Sequence, residues 1–204
     1  LNTHLKVNKK PLDTDILEIH VIDLEGIIIG STDEEEIGED KEKAQQYFLK
    51  WQKETYVQDV HIYAHEGNEE GVIAIGTPLL SRADNSIIGV LMNRYKLSDI
   101  QEVISGKRAR RLGALTTLQD IGTREIFLAS QQGFMLTPLK QMEDFRVLNR
   151  RIDALEPVAK CMQASEEINK DWINLQGNKV LGASMCPQVE NDWKWILVVE
   201  QDEK

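Results

Sequence analysis

The sequence predicts an α/β (α+β) fold of two tandem modules, each with a central antiparallel sheet of about five strands flanked by helices. Apolar and polar residues alternate along several short segments that end at glycine-containing turns, which is typical of antiparallel strands. Four pairs of landmarks also recur at an offset of 106 or 107 residues: Glu18 and Glu125, Gly26 and Gly133, Gly76 and Gly182, and Gly89 and Trp195. The alternative interpretation is that any two small antiparallel-sheet domains share such hairpins.

Length and charge set the domain count and exclude one class of partner. We predict a first module at 1–106, a linker at 107–122 and a second module at 123–204. The 204-residue chain has a formal net charge of −10 and a pI near 5.0. This charge argues against a nucleic-acid partner, because phosphates need a basic face. The basic cluster at 107–111 is interpreted as a solvated linker or a set of inter-domain salt bridges.

The first module is predicted to open with a hairpin and a short helix. Glu18 and His20 alternate with apolar residues along Ile16–Ile22, which predicts a strand with one buried face. Three further elements follow in order, namely a turn at 23–26, a returning strand at 27–29 and a short acidic helix that is capped by 31–33 and ends at Gly38.

The remaining elements follow the same periodicity rules. A helix predicted at 40–54 carries Ala44, Tyr47, Phe48 and Trp51 at i, i+3, i+4 and i+7, so its aromatic face should lie across the sheet. The first module then continues with strands at Tyr56–His65, 72–80 and 87–95 and a closing helix at 99–104. The second module is predicted to contain a hairpin at 125–138, a helix at 157–162 and strands at 171–175, 179–186 and 193–200.

No catalytic set emerges, and we therefore predict that this chain is not an enzyme. It contains no glycine-rich phosphate loop, no GxSxG elbow and no HExxH motif. The acidic run at 33–36 is interpreted as serving the helix dipole and solvation. His61 and His65 share a strand face but lie ~13 Å apart at ~3.3 Å per residue, too far for one metal ion. We predict no metal and no cofactor.

A ligand pocket is predicted where the strands 72–80 and 87–95 face the aromatic helix. This prediction assumes that alternate residues counted from Ile73 and from Ile88 share that face. The lining residues would then be Tyr47, Trp51, Tyr56, Ile75, Thr77, Met92 and Arg94. Arg94 would bind a ligand carboxylate through two parallel N–H groups. The alternative is that Arg94 lies at the strand end, in solvent or in a surface salt bridge.

Two further residues are candidates for ligand contact. His61 and Tyr63 lie two positions apart on the predicted strand Tyr56–His65, so their side chains share a face and could both contact one small molecule. The alternative is that both pack as half-buried, hydrogen-bonded residues with no ligand.

Several stretches resemble one known family. VIDLEGIIIGSTDEEEIGED is similar to the opening hairpin of extracytoplasmic Cache domains, which are PAS-like sensor modules. IAIGTPLL with IIGVLMNRYKLSDIQEVI resembles their central strands and closing helix. GTREIFLASQQGFMLTP resembles the start of a second module, and VLGASM with WKWILVVEQD resembles its end. The resemblance covers nearly the whole chain and implies a double-Cache sensor, as in membrane histidine kinases, chemoreceptors and cyclic-dinucleotide enzymes.

The resemblance carries implications for location and partners. It implies a cell-membrane receptor, a histidine kinase first of all, with this domain on the extracytoplasmic side and membrane contact only through flanking segments. A small-molecule ligand would bind in the first module and bias a flanking signalling helix. Residues 1–10 would be the remnant of the family's long N-terminal helix, through which a homodimer could form. The alternative is that the same fold serves as a ligand-free protein-interaction or dimerisation module of a chemoreceptor or cyclic-dinucleotide enzyme.

The family's motifs also bear on the ligand and on the cysteines. Its amino-acid-binding subgroup carries an Arg-x-Trp-Tyr stretch and a later Asp, whereas here the stretch at 51–53 lacks that Arg and Arg94 stands where the Asp is expected. An anionic ligand such as a carboxylate therefore suits the pocket better than an α-amino acid. An extracytoplasmic location also favours a disulfide between Cys161 and Cys186, for which the alternative is a free buried pair.

Overall fold

The computed structural model describes residues 1–40, 46–65, 68–104, 124–140, 142, 144–190 and 193–202. Its backbone divides into two units, one formed by Leu1–Val60 with Val72–Lys96 and the other by His61–Gly71 with Leu97–Lys204. The predicted linker at 107–122 and the first part of the helix predicted at 40–54 lie outside the described residues. Two five-stranded sheets and their flanking helices confirm the predicted α+β fold class.

The first sheet has the strand order β2-β1-β5-β4-β3. An N-terminal helical segment precedes this sheet in the chain, and one helix lies between β2 and β3. The elements are α1 (Asn2–His4), a π-helical turn (Leu5–Lys9), a 3-10 turn (Lys10–Leu12), β1 (Ile16–Ile22), β2 (Ile28–Ser31), a second 3-10 turn (Glu34–Glu36), α2 (Gln46–Trp51), β3 (Tyr56–His65), β4 (Asn68–Leu80) and β5 (Ile87–Lys96).

Both faces of the first sheet are covered. On one face the core contains Phe48 and Trp51 of α2 with side chains of the sheet, namely Ile22, Ile28, Tyr56, Ala74, Val90 and Met92. On the other face Leu5 of the N-terminal segment packs with Ile16, Ile19 and Val21 of β1. The interior strand β1 is therefore buried on both sides. The prediction of a single buried face for this strand is wrong, because α2 covers the side of Glu18 and His20 that the pattern left to solvent, while the N-terminal segment packs on the other side.

The second sheet has the strand order β6-β10-β8-β7, and β9 pairs with β10. Its core packs one helix, and the segment between β6 and that helix, against the sheet. The elements are α3 (Leu97–Ile104), β6 (Glu125–Ser130), α4 (Glu156–Ala164), β7 (Asn169–Ile173), β8 (Lys179–Met185), β9 (Gln188–Glu190) and β10 (Trp193–Asp202). A disulfide joins Cys161 of α4 to Cys186, which follows β8.

The opening hairpins of the two units use the same hydrogen bonds at equivalent positions. Asp23 Oδ1 accepts from the backbone N–H groups two and four residues ahead, at 3.0 and 2.9 Å. Ser130 Oγ, 107 positions later, accepts from the N–H groups at the same two spacings, at 3.3 and 3.2 Å. Gly26 and Gly133 close the two turns with φ of 91° and 80°, which glycine adopts without steric cost. These shared contacts support a duplicated module.

The return arm of the second hairpin differs from the prediction. The sequence predicts a strand there, but Met135 makes only an isolated bridge, to Ala129. Thr137 Oγ1 instead accepts from the N–H of Leu128 at 2.8 Å, so a side chain takes one place in the backbone ladder. The short acidic helix after β2 is likewise only a 3-10 turn, in which Asp33 Oδ1 accepts from the N–H of Glu35 at 3.0 Å.

Candidate functional site

Three polar side chains lie together on the face of the first sheet that α2 covers, and we call Glu18, His20 and Arg94 the polar floor. β1 and β5 are antiparallel, with Glu18 opposite Arg94 and His20 opposite Met92. Directly opposed residues share a face, so all three side chains point to the side of Met92. Their residues are 4%, 0% and 5% exposed. Such burial is rare for titratable side chains and requires partners.

The contacts inside the polar floor are uneven. Arg94 Nη1 forms a buried ion pair with Glu18 Oε2, so two opposite charges balance each other in the core. His20 Nε2 lies 3.3 Å from the same carboxylate oxygen, but the ring is not oriented for a hydrogen bond. Neither ring nitrogen of His20 is hydrogen-bonded within the described residues. A buried polar atom without a partner costs about 1–3 kcal/mol, so a further group beside His20 would be stabilising.

An aromatic wall stands on the same side of the sheet. The Trp51 side chain is fully buried, and its Nε1 donates to the backbone oxygen of Tyr56 at 2.9 Å. The rings of Tyr47 and Tyr56 stack with centroids 6.2 Å apart, and Lys50 Nζ lies 4.1 Å above the Tyr56 ring. The structure therefore brings four of the predicted lining residues into one core cluster, namely Tyr47, Trp51, Tyr56 and Met92.

Gly76 explains how the tryptophan fits. A Cβ atom at this glycine would lie 2.2 Å from the Trp51 ring, so the indole rests directly on the backbone of β4. The sequence analysis identified Gly76 only as a landmark of the repeat. Its absent side chain provides the space that α2 uses to approach the sheet.

Two predicted lining residues lie on the wrong face. β4 pairs with β5 so that Gly76 is opposite Met92, and Ala74 is opposite Arg94. Ile75 and Thr77 therefore point to the face opposite the polar floor. The assumption that residues counted from Ile73 and from Ile88 share a face is wrong by one position. A shift of one residue turns every side chain of a strand to the other face.

Arg94 lies on the sheet face that α2 covers, where the pocket was predicted, and not at the strand end in solvent. It is buried rather than at the surface, and its charge is already paired with Glu18. His61 and Tyr63 are half-buried on β3, in the segment that belongs to the second unit. The structure assigns them to a different unit from the polar floor.

Sequence reasoning missed Glu18 and His20 as site residues. The alternation of polar and apolar residues predicted a strand with one buried face, and it placed both side chains on the exposed face. Two features of the sequence could have identified them. Glu18 and His20 are two positions apart, so they share a face of an otherwise apolar strand, and the strand opposite carries Arg94 at its polar end. Charged residues that share a face with an opposite charge on a neighbouring strand are better assigned as a pair.

A cleft of about 720 Å³ lies within the second unit. It carries both a carboxylate and a guanidinium among its lining residues, which are Ile62, Glu69, Gly71, Phe145, Arg146, Val147, Leu148 and Asn149. It is a second place where a small molecule could bind, and any binding experiment must distinguish it from the polar floor.

The described residues also bear on metal binding and on membrane crossing. Within the ranges given above, no three His, Cys, Asp or Glu side chains are grouped so that they could hold a metal ion. In the same part of the chain, none of the helices combines the length and the apolar character that crossing a membrane requires.

No family model and no curated protein matches the chain. Solved structures match it over most of its length. The periplasmic sensory domain of the Campylobacter jejuni chemoreceptor Tlp1 has 16% identity and a TM-score of 0.57, covering 91% of this chain and 71% of that one. The ligand-binding domain of the Pseudomonas aeruginosa PAO1 amino acid chemoreceptor PctC, in complex with GABA, has 14% identity and a TM-score of 0.63, covering 96% and 78%.

A third match is the extracellular domain of the histidine kinase candidate rpHK1S-Z16. It has 11% identity and a TM-score of 0.61, and the alignment covers 95% of this chain and 73% of that one. The chain therefore has the fold of Cache-like extracellular sensory domains, as its motifs predicted.

Proposed function

We propose that this chain is the extracytoplasmic sensor domain of a transmembrane receptor, and that it binds a small molecule against the polar floor. The carrying observation is His20, a fully buried side chain whose ring nitrogens lack hydrogen bonds beside a buried ion pair. A bound molecule would supply the missing partner. The fold supports this role, because PctC was solved as a ligand-binding domain with GABA bound.

A carboxylate remains the ligand class that we propose, but the reason is now a hydrogen bond from His20 rather than the charge of Arg94. Glu18 balances the charge of Arg94, so net charge alone does not attract an anion. A ring N–H of His20 can donate to a carboxylate oxygen in this buried setting, where such a bond gains strength because water is excluded. Arg94 then contributes positive potential next to the ligand rather than acting as its sole partner.

The proposed location rests on the fold and on the disulfide. Structural neighbours of this fold are periplasmic or extracellular domains. The bond between Cys161 and Cys186 supports the same compartment, because disulfides persist in oxidising surroundings. We propose a histidine kinase as the parent receptor, attached to the membrane through flanking segments, with a homodimer formed through the N-terminal helical segment. Sensory neighbours also support a domain without catalysis of its own.

A ligand-free interaction module is the second candidate, and one observation favours it. Trp51 fills the space above Gly76 and is fully buried, as expected for a core that needs no ligand. In this case the ion pair of the polar floor would be structural, and His20 would bear an uncompensated desolvation cost.

A thermal-shift screen separates the two candidates. The chain is heated with small carboxylates, amino acids, amines and sugars, because a ligand that binds the folded state raises the unfolding midpoint by mass action. We expect a carboxylate to raise the midpoint of the wild type and of Arg146→Ala, a variant in the cleft of the second unit. The same compound should have no effect on His20→Leu, whose fold is checked by circular dichroism.

Three results would redirect the assignment. A shift that survives in His20→Leu but disappears in Arg146→Ala would move the binding site to the cleft of the second unit. A shift caused only by amines or sugars would reject the carboxylate. The absence of any shift across the panel would favour the interaction module.

A further inference from the structure

The second sheet contains a pair of residues equivalent to the ion pair of the polar floor. β6 and β10 pair in the same antiparallel sense as β1 and β5, with Glu125 opposite Glu200. Glu125 lies 107 positions after Glu18, and Glu200 lies 106 positions after Arg94. The duplicated position thus holds two carboxylates where the first unit holds a carboxylate and a guanidinium.

Glu200 is enclosed by neighbouring strands. It is 2% exposed, and its Oε2 accepts a hydrogen bond from Trp172 Nε1 of β7 at 3.1 Å. On β8 the residue opposite Glu200 is Gly182, and a Cβ there would lie 2.2 Å from the Trp172 ring. The indole therefore covers the carboxyl group. Glu200 Oε1 makes no hydrogen bond within the described residues.

The charges that act on Glu200 are those of carboxylates. Glu125 faces it from β6, and Asp202 follows it on β10. β8 contributes Gly182, and β7 contributes the neutral Trp172 together with Lys170, whose ammonium group pairs with Glu156. The Glu125 carboxylate accepts a hydrogen bond from the backbone N–H of Lys140 at 3.0 Å. Ionised Glu200 would then be a second negative charge, buried and opposite the first.

We propose that Glu200 is a proton-binding site, which is neutral in the folded domain and whose ionisation changes its hydrogen bond with the indole of Trp172. A single proton held by two opposed carboxylates lowers the buried charge, as in other carboxylate pairs. This site lies outside the polar floor and does not depend on the ligand proposed there. It would make the second unit responsive to the acidity of its surroundings.

The raised pKa of Glu200 determines how the stability of the folded domain changes with pH. Burial is the largest cause that raises the pKa of Glu200 above 4.5, the polar side chains of Trp172 and Asn174 lower it, and the charges of Glu125 and Asp202 raise it further. The folded state therefore binds the proton more tightly than the unfolded chain. The stabilisation is complete below the unfolded pKa and is lost as pH rises through the folded pKa.

The test follows the indole N–H of Trp172 by ¹H–¹⁵N NMR in the complete 204-residue chain, with the resonance assigned by Trp172→Phe. From about pH 4 to pH 8, we expect the wild-type resonance to move with a midpoint above 4.5, the ordinary pKa of a glutamic acid. The movement should be absent in Glu200→Gln. In Glu125→Gln the midpoint should fall, because the opposed charge has been removed.

Two results would overturn the proposal. One is a wild-type indole resonance that does not move over this range. The other is a movement that persists unchanged in Glu200→Gln, because another group would then be titrating. If Glu200→Gln failed to fold, the midpoint in Glu125→Gln would decide. A midpoint equal to that of the wild type would contradict the opposed-carboxylate geometry.

Discussion

Two strand pairs at equivalent positions of the repeat carry different chemistry. In the first unit, β1 and β5 hold Glu18 opposite Arg94, and the charges form a buried ion pair. In the second unit, β6 and β10 hold Glu125 opposite Glu200, and the buried carboxyl group accepts from an indole. The backbone arrangement is the same in both. Arg94 in one unit and Glu200 in the other decide whether the opposed carboxylate meets a cation or a second carboxyl group.

The largest expected effect comes from removing the cation of the first pair. Arg94→Met leaves Glu18 buried without its partner, which should lower the free energy of unfolding by about 3–5 kcal/mol. Urea unfolding of the wild type and the variant measures the loss. The double variant Glu18→Gln with Arg94→Met should recover part of it, because no charge is then left unpaired. Equal midpoints for wild type and Arg94→Met would show that the ion pair contributes nothing.

The second unit contains a disulfide, and its contribution to stability can be measured. Cys161 and Cys186 are 25 positions apart, and opening a loop of that length should cost about 3 kcal/mol. Reduction should therefore increase hydrogen exchange in β8 and α4 of the second unit while leaving β1 unchanged. Unfolding curves with and without reductant measure the total effect. Identical curves would contradict a stabilising bond in this position.

The glycines under the two tryptophans should behave alike. Gly76→Ala and Gly182→Ala each place a methyl group within 2.2 Å of an indole, that of Trp51 or that of Trp172. Overpacking of this kind costs about 1–3 kcal/mol. Gly177→Ala is a poor control because of its positive φ, so the exposed variant Arg82→Ala serves as the reference for urea unfolding. A loss in only one unit would show that the two indole contacts are not equivalent.

The hairpin caps should give the smallest effect. Asp23→Ala and Ser130→Ala each remove the acceptor for two backbone N–H groups, at a cost of about 1 kcal/mol. We expect similar losses for the two variants, measured by thermal unfolding. If Ser130→Ala did not change the unfolding midpoint, water would be replacing the hydroxyl group of Ser130.

Local sequence patterns predicted secondary-structure elements, but they failed where distant segments of the chain decide which face of a strand is buried. β1 lies at Ile16–Ile22 as predicted, because apolar alternation next to a glycine turn is a short-range signal. The parity of β4 relative to β5 was wrong, since it depends on the conformation of the connection at 81–86 rather than on either strand. The predicted exposed side of Glu18 and His20 was wrong, because the N-terminal segment and α2 cover both sheet faces. The sequence contains these residues, but their contacts are non-local.

Hydrogen–deuterium exchange with and without a stabilising carboxylate tests the central claim most directly, because it locates the bound molecule. The account predicts slower exchange in β1 and β5, around His20 and Arg94, with the cleft residues 145–149 unchanged. The same protection should be absent in His20→Leu. Protection confined to 145–149, or equal protection of wild type and His20→Leu, would contradict a binding site on the polar floor of the first unit.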